Sequence, residues 1–142
     1  MTTKWENLGI TSDTQLKQIA KEMKLPKINY IGFAEPMDKL PKGLSIINIG
    51  GELAGGTHWT MLWVEPKQLI YFDSYGVGPE DRIIKLAGDR KVIYNTKQVQ
   101  RYEEQHCGIW VLLAALAIHD AQKNGSDTAI AINQFIDRFK HL

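Results

Sequence analysis

A single cysteine, Cys107, stands among 142 residues. One thiol cannot form an internal disulfide, which agrees with a reducing compartment and leaves a free sulfur to be explained. There is no C-x-x-C and no H-x-x-x-H pair, so the close-spaced thiolates and imidazoles that structural zinc sites use are missing. Charge of one sign is not in excess. Seventeen basic against 16 acidic residues leave a formal net charge of +1, with no overall field to draw in nucleic acid or a membrane surface. The longest apolar run, Ile109 to Ile118, falls far short of the ~20 residues that span a bilayer, and the polar start Met1 to Asn7 has no signal-peptide profile. A soluble, intracellular protein is the expectation. No glycine-rich stretch opens a helix as a phosphate loop would, because Gly50 to Gly56 leads into a strand-like segment. With no repeat, low-complexity tract or linker, residues 1–142 read as one domain, a size at which roughly 70% of the unfolded chain's surface becomes buried.

What is present alternates between strand and helix signals. Thr11-Ser12-Asp13 is a capping cluster with Gln15 three residues after Ser12, and Leu16, Ile19, Ala20 and Met23 follow at helical spacing up to Pro26. Ile28 to Phe33 and Leu44 to Ile49 are β-branched runs, separated by a loop holding Pro36 and Pro41. His58 to Val64 and Leu69 to Phe72 flank the turn Glu65-Pro66-Lys67-Gln68, which predicts a central hairpin. Pro79-Glu80-Asp81 opens a short helix, and Val92-Ile93-Tyr94 is a further strand. From Cys107 to about Gln122 the residues are helix formers and almost uniformly apolar to Ile118, so this helix should be buried. Asn124-Gly125 stops it, and Ser126-Asp127 caps a last helix with Ile132, Phe135, Ile136 and Phe139 on one face. The fold class is α+β: a small mixed or antiparallel sheet carrying the His58 and Asp73 strands, packed on the buried Cys107 helix.

Three residues in this framework can do thiol chemistry together. Cys107 stands at the start of the buried helix, where unpaired N–H groups and the helix dipole favour a thiolate, and Gly108 leaves room beside the sulfur. Position alone fits a small buried hydrophobe as well. His58 opens the central strand, where the indole of Trp59 could cover one side of the ring; a solitary histidine there is more often structural. Asp73 comes 15 residues later at the exit of the next strand, and an antiparallel hairpin returns it beside the histidine. There it would select the tautomer and stabilise the imidazolium, although composition also suits a turn aspartate. Acyl transfer further needs donors for an oxyanion, for which Gln98, Gln100 and Gln105 compete, with the Cys107 N–H as a second donor. His106 reads as solvent-facing, His119 as helix surface and His141 as terminal.

At these residues the chain resembles the adenain family of adenovirus maturation proteases and its wider relatives, which include virophage and other large-DNA-virus proteases and the SUMO-deconjugating proteases. The order His, acid, Gln, Cys is that clan's, opposite to papain-like enzymes. Ser12 to Lys24 resembles the family's first helix, Ser45 to Trp59 (SIINIGGELAGGTHW) its approach to the histidine, and Tyr71 to Gly76 (YFDSYG) its acidic turn, so that roughly Ser12 to Asp120 is covered. The resemblance implies His58 as base, Asp73 as orienting acid, Gln100 as oxyanion donor and Cys107 as nucleophile, with Gly56, Trp59 and Gly108 meeting the substrate. It implies no cofactor and no metal.

Departures from the pattern narrow what it implies. Adenain carries Glu where Asp73 stands, and its activating peptide is joined through a second cysteine that this chain lacks. Disulfide-linked activation is thereby excluded, while a noncovalent activating peptide remains open; the chain is also shorter after the cysteine helix. The implied function is a cysteine endopeptidase that cleaves viral capsid or core precursor proteins during virion maturation, beside small residues such as Gly. It would act in the virion and the host-cell interior, whether nucleus or cytoplasmic virus factory. A deconjugating protease for ubiquitin-like modifiers would share every catalytic residue, and a non-catalytic virion component would share the fold. For DNA the signal is the stretch Arg82, Lys85, Arg90, Lys91, Lys97 and Arg101, for which a solvated face is the favoured reading.

Overall fold

The computed structural model describes residues 12–34, 36–49, 58–100 and 107–140. Helix α1 (Asp13–Glu22) begins at a capping box: Gln15 N–H donates to Ser12 Oγ at 3.1 Å, and Ser12 N–H donates to Gln15 Oε1 at 2.8 Å. Its apolar stripe buries Leu16, Ile19 and Ala20. Five strands follow in sheet order equal to chain order: β1 (Tyr30–Phe33), β2 (Gly43–Asn48), β3 (Trp59–Val64), β4 (Gln68–Phe72) and β5 (Lys91–Tyr94). The three central strands pair antiparallel and the two edge strands pair parallel to their neighbours. This is the expected small mixed sheet, with α2 (Asp81–Ala87) between β4 and β5 and with α3 (Cys107–Lys123) and α4 (Thr128–Phe139) after them. The first strand starts two residues later than Ile28.

Every residue of β3 is buried, which a strand achieves only when both faces of its sheet are covered. The period of two sorts the side chains between those faces. Leu44, Ile46, Met61, Trp63, Ile70 and Phe72 join one core with α1, α3 and α4, while Ile47, Leu62, Val64, Leu69 and Tyr71 join a second beneath α2 with Ile83 and Ala87. Each fully buried Leu, Ile or Phe contributes about 1.5–3 kcal/mol relative to exposure. Helix α3 is the spine of the larger core: Cys107, Gly108, Ile109, Val111, Leu112, Ala114, Ala115 and Ile118 are all buried. The edge-to-face contacts of Trp110 with Phe135 and Phe139 fasten α4 to it.

The β3–β4 turn is tied to α4 by a polar cluster. Thr128 donates to Glu65 Oε2 at 2.6 Å and accepts from Gln68 Nε2 at 2.9 Å. Thr128→Val keeps the shape and removes both bonds, so denaturant unfolding should give a loss of about 1–3 kcal/mol at unchanged m. An unaltered midpoint would mean that the cluster contributes nothing net.

Candidate active site

The β3–β4 hairpin brings the two ends of the site together. Its register closes at Met61↔Phe72, so the chain leaving β4 passes beside the chain entering β3. His58 and Asp73 are the residues at those two ends, and His58 Nε2 meets Asp73 Oδ1 at 2.7 Å. Cys107 approaches the same point from above as the first residue of α3. Cys107 lies near enough to the imidazole to raise its pKa, and the backbone N–H of Trp59 donates to Cys107 Sγ at 3.5 Å. Nε2 is committed to the carboxylate, which leaves Nδ1 as the ring nitrogen available to the sulfur. Cys107 is 6% exposed.

Electrostatics favour the imidazolium. Burial works against charge on His58, but the hydrogen bonds to Asp73 and Cys107 and their negative charge outweigh it, and the His58 pKa is raised from 6.5 to about 9. A buried carboxylate on one side and a sulfur on the other therefore hold a proton on the ring at neutral pH. The consequence for stability has a definite sign. Because the folded pKa lies above the unfolded one, the stabilisation is complete below pH 6.5 and disappears as pH rises through about 9. Urea unfolding should show up to about 3 kcal/mol lost across that window, and His58→Ala should flatten the slope. An equal slope in both proteins would contradict the raised value.

The turn after β4 is built for this task. Asp73 Oδ1 also accepts the Tyr75 N–H at 2.9 Å, and Gly76 N–H closes the turn onto Asp73 O at 2.8 Å. Gly76 has φ 79°, and a Cβ there would lie 2.9 Å from Thr96 O, so glycine is required on both counts. Asn95, just past β5, grips the main chain of Asp73 from the side: Asn95 Oδ1 accepts the Asp73 N–H at 3.1 Å, and Nδ2 donates to Asp73 O at 2.7 Å and to Lys97 O at 3.0 Å. Its carboxamide continues the parallel β4–β5 ladder where β5 has ended. The Tyr75 ring stacks on the imidazole at 4.6 Å between centroids and 10° between planes.

Gln100 belongs to the same turn. Its side chain is fully buried, Oε1 accepts from Ser74 Oγ at 2.5 Å, Nε2 reaches Tyr75 OH at 3.5 Å, and its N–H donates to Ser74 O at 3.0 Å. Gln98 is only half-buried and donates to Gln100 O at 2.6 Å. Gln105, like Gly56, Arg101, His106 and His141, lies outside the described residues. Gly108 is buried in the first turn of α3, and His119 is half-buried on its side.

One expectation changes. The ring laid against the imidazole is that of Tyr75 rather than Trp59, whose side chain is 7% exposed in the larger core. Consecutive residues of an extended chain point to opposite sides, so His58 and Trp59 cannot share a face. In the basic stretch, Arg82 donates to Met37 O, and Arg90 donates to Glu65 O and Ala87 O. Those two guanidiniums tie loops to α2 and the β3–β4 turn. Among the described residues no group of three His, Cys, Asp or Glu side chains could hold a metal ion, and no helix is long and apolar enough to cross a membrane.

No family model matches the chain, and no curated protein does. Solved structures do. Three structures of the SUMO protease Ulp1, with the catalytic cysteine oxidized to a sulfenic, a sulfinic or a sulfonic acid, are each 20% identical to the chain. In each, 88% of this chain aligns with 74% of that one, at TM-scores of 0.50, 0.49 and 0.48. The match at 0.50 carries the comparison. The chain has a Ulp1-like fold. In that Ulp1-like frame the sheet and the buried helix carry Cys107, His58 and Asp73 to one place, which is the α+β arrangement expected from the sequence.

Proposed function

We propose that the chain is a cysteine endopeptidase. One observation carries the reading: a single imidazole bonds a buried carboxylate at 2.7 Å and lies within interaction range of the only thiol of the chain. Thiolate and imidazolium form an ion pair, the sulfur attacks the peptide carbonyl carbon, and negative charge develops on the carbonyl oxygen. Gln100 Nε2 and the Cys107 N–H at the start of α3 hold that oxyanion. His58 then donates its proton to the leaving amine and takes one from the water that hydrolyses the thioester. Asp73 keeps the ring in the tautomer that serves both steps.

For the substrate, the motifs SIINIGGELAGGTHW and YFDSYG support viral capsid or core precursors cut during virion maturation, beside small residues. The enzyme would then work in the virion and the host-cell interior, with or without a noncovalent activating peptide. Deconjugation of ubiquitin-like modifiers is the second reading, favoured by the likeness to a SUMO protease. Incubating the purified protein with the virion precursors of its own genome and, separately, with SUMO and ubiquitin fusions separates them. Precursor cleavage supports the first, and fusion cleavage alone supports the second. If neither is cut, and parent and Cys107→Ala are indistinguishable, the fold serves a non-catalytic virion component.

A further inference from the structure

We propose that Ser74 is a positioning residue, whose buried hydroxyl fixes the orientation of the Gln100 carboxamide so that its NH2 end is the one presented to the reacting carbonyl. The proposal rests on the endopeptidase reading and deepens it. A carboxamide is nearly symmetric in shape, and its two orientations differ only in which end donates. For an oxyanion donor the difference is everything, because the wrong orientation aims an acceptor at a developing negative charge. The structure places the carboxamide in one of them: Oε1 accepts from the Ser74 hydroxyl at 2.5 Å, and Nε2 is the end left to reach Tyr75 OH at 3.5 Å.

Both partners are fully buried, which gives the bond weight. Water cannot replace it, and a flipped amide would have to form a poorer pair in a low-dielectric site. The main chain reinforces the arrangement, since Ser74 O accepts the N–H groups of both Val99 at 2.9 Å and Gln100 at 3.0 Å. Base and oxyanion donor are thus set by three consecutive residues. Asp73 holds His58 through Oδ1, Ser74 holds Gln100 through its hydroxyl, and Tyr75 touches both through its ring and its phenol. A shift of this turn moves both groups together, which preserves their mutual distance.

The test compares two reactions of the same sulfur in the full chain. Iodoacetamide alkylation proceeds by displacement and develops no oxyanion, whereas acylation by p-nitrophenyl acetate does. The ratio of the two rates therefore reads the oxyanion donors and cancels changes in thiolate content. Ser74→Ala should lower the ratio about ten- to hundredfold, less than or equal to the loss in Gln100→Ala. In the Gln100→Ala background it should lower the ratio no further, because Ser74 acts through Gln100. Ser74→Thr, which keeps the donor, should stay within about threefold of the parent. A ratio unchanged in Ser74→Ala, a ratio unchanged in Gln100→Ala, or additive losses in the double variant would each overturn the proposal. A parent that acylates with the expected ratios yet cleaves no peptide would defeat the endopeptidase reading and leave the positioning role standing.

Discussion

Cys107→Ala should abolish peptide hydrolysis, a fall of at least about 10⁴-fold in kcat, because the variant has no thiol to form the acyl intermediate. The chain has no second thiol to substitute for it. The substitution also separates catalysis from folding. Cys107 packs at the head of α3 with its sulfur receiving the Trp59 N–H at 3.5 Å, and alanine fills the same space less one atom. Circular dichroism and the unfolding midpoint should therefore stay close to the parent while turnover vanishes. Hydrolysis surviving in Cys107→Ala at more than about a hundredth of the parental rate would be incompatible with thiol catalysis.

Asp73→Asn should lower kcat by about 10²- to 10⁴-fold near pH 7, approaching the loss that the same change causes in a serine triad. The substitution isolates charge from geometry. Asp73 Oδ1 accepts from both His58 Nε2 and the Tyr75 N–H, and an asparagine oxygen can keep both bonds. The other oxygen, Oδ2, is buried with no hydrogen-bond partner among the described residues, so the amide nitrogen enters a pocket that offers it nothing. Without the carboxylate, burial dominates the balance at His58, and its pKa falls from about 9. The imidazolium that protonates the leaving amine is then scarce at neutral pH. In the parent, kcat should decline only as pH rises through about 9; in Asp73→Asn the alkaline limb should begin lower. If both proteins share one alkaline limb, another group controls it.

The repeating patterns of the chain were legible because local rules decide them. Ser12 and Gln15 form the capping box that their spacing predicts, and the β-branched runs become strands bounded by proline and glycine. The continuous apolar run after Cys107 is buried because a helix that is apolar all round has no face to give to water. The positioning residues were not legible. Ser74, Tyr75 and Asn95 are common turn residues, and nothing in their spacing says that a hydroxyl will meet Gln100, a ring will stack on His58 or a carboxamide will prolong a ladder. Trp59 misled for a related reason: adjacency in sequence suggested contact with the imidazole, and strand alternation forbids it.

By itself the sequence determined the kinds of element, their order and the chemical types available: one thiol at a helix start, one histidine at a strand entrance, one aspartate at a strand exit. Only the tertiary structure decided that Gln100 is buried against the Asp73 turn and which ring covers the base. Composition and periodicity act over a few residues, whereas a hydrogen bond between positions 74 and 100 exists only after the register of β3 on β4 and β4 on β5 has been set. Long-range pairing is a property of the packed sheet, and the site inherits its geometry from that packing.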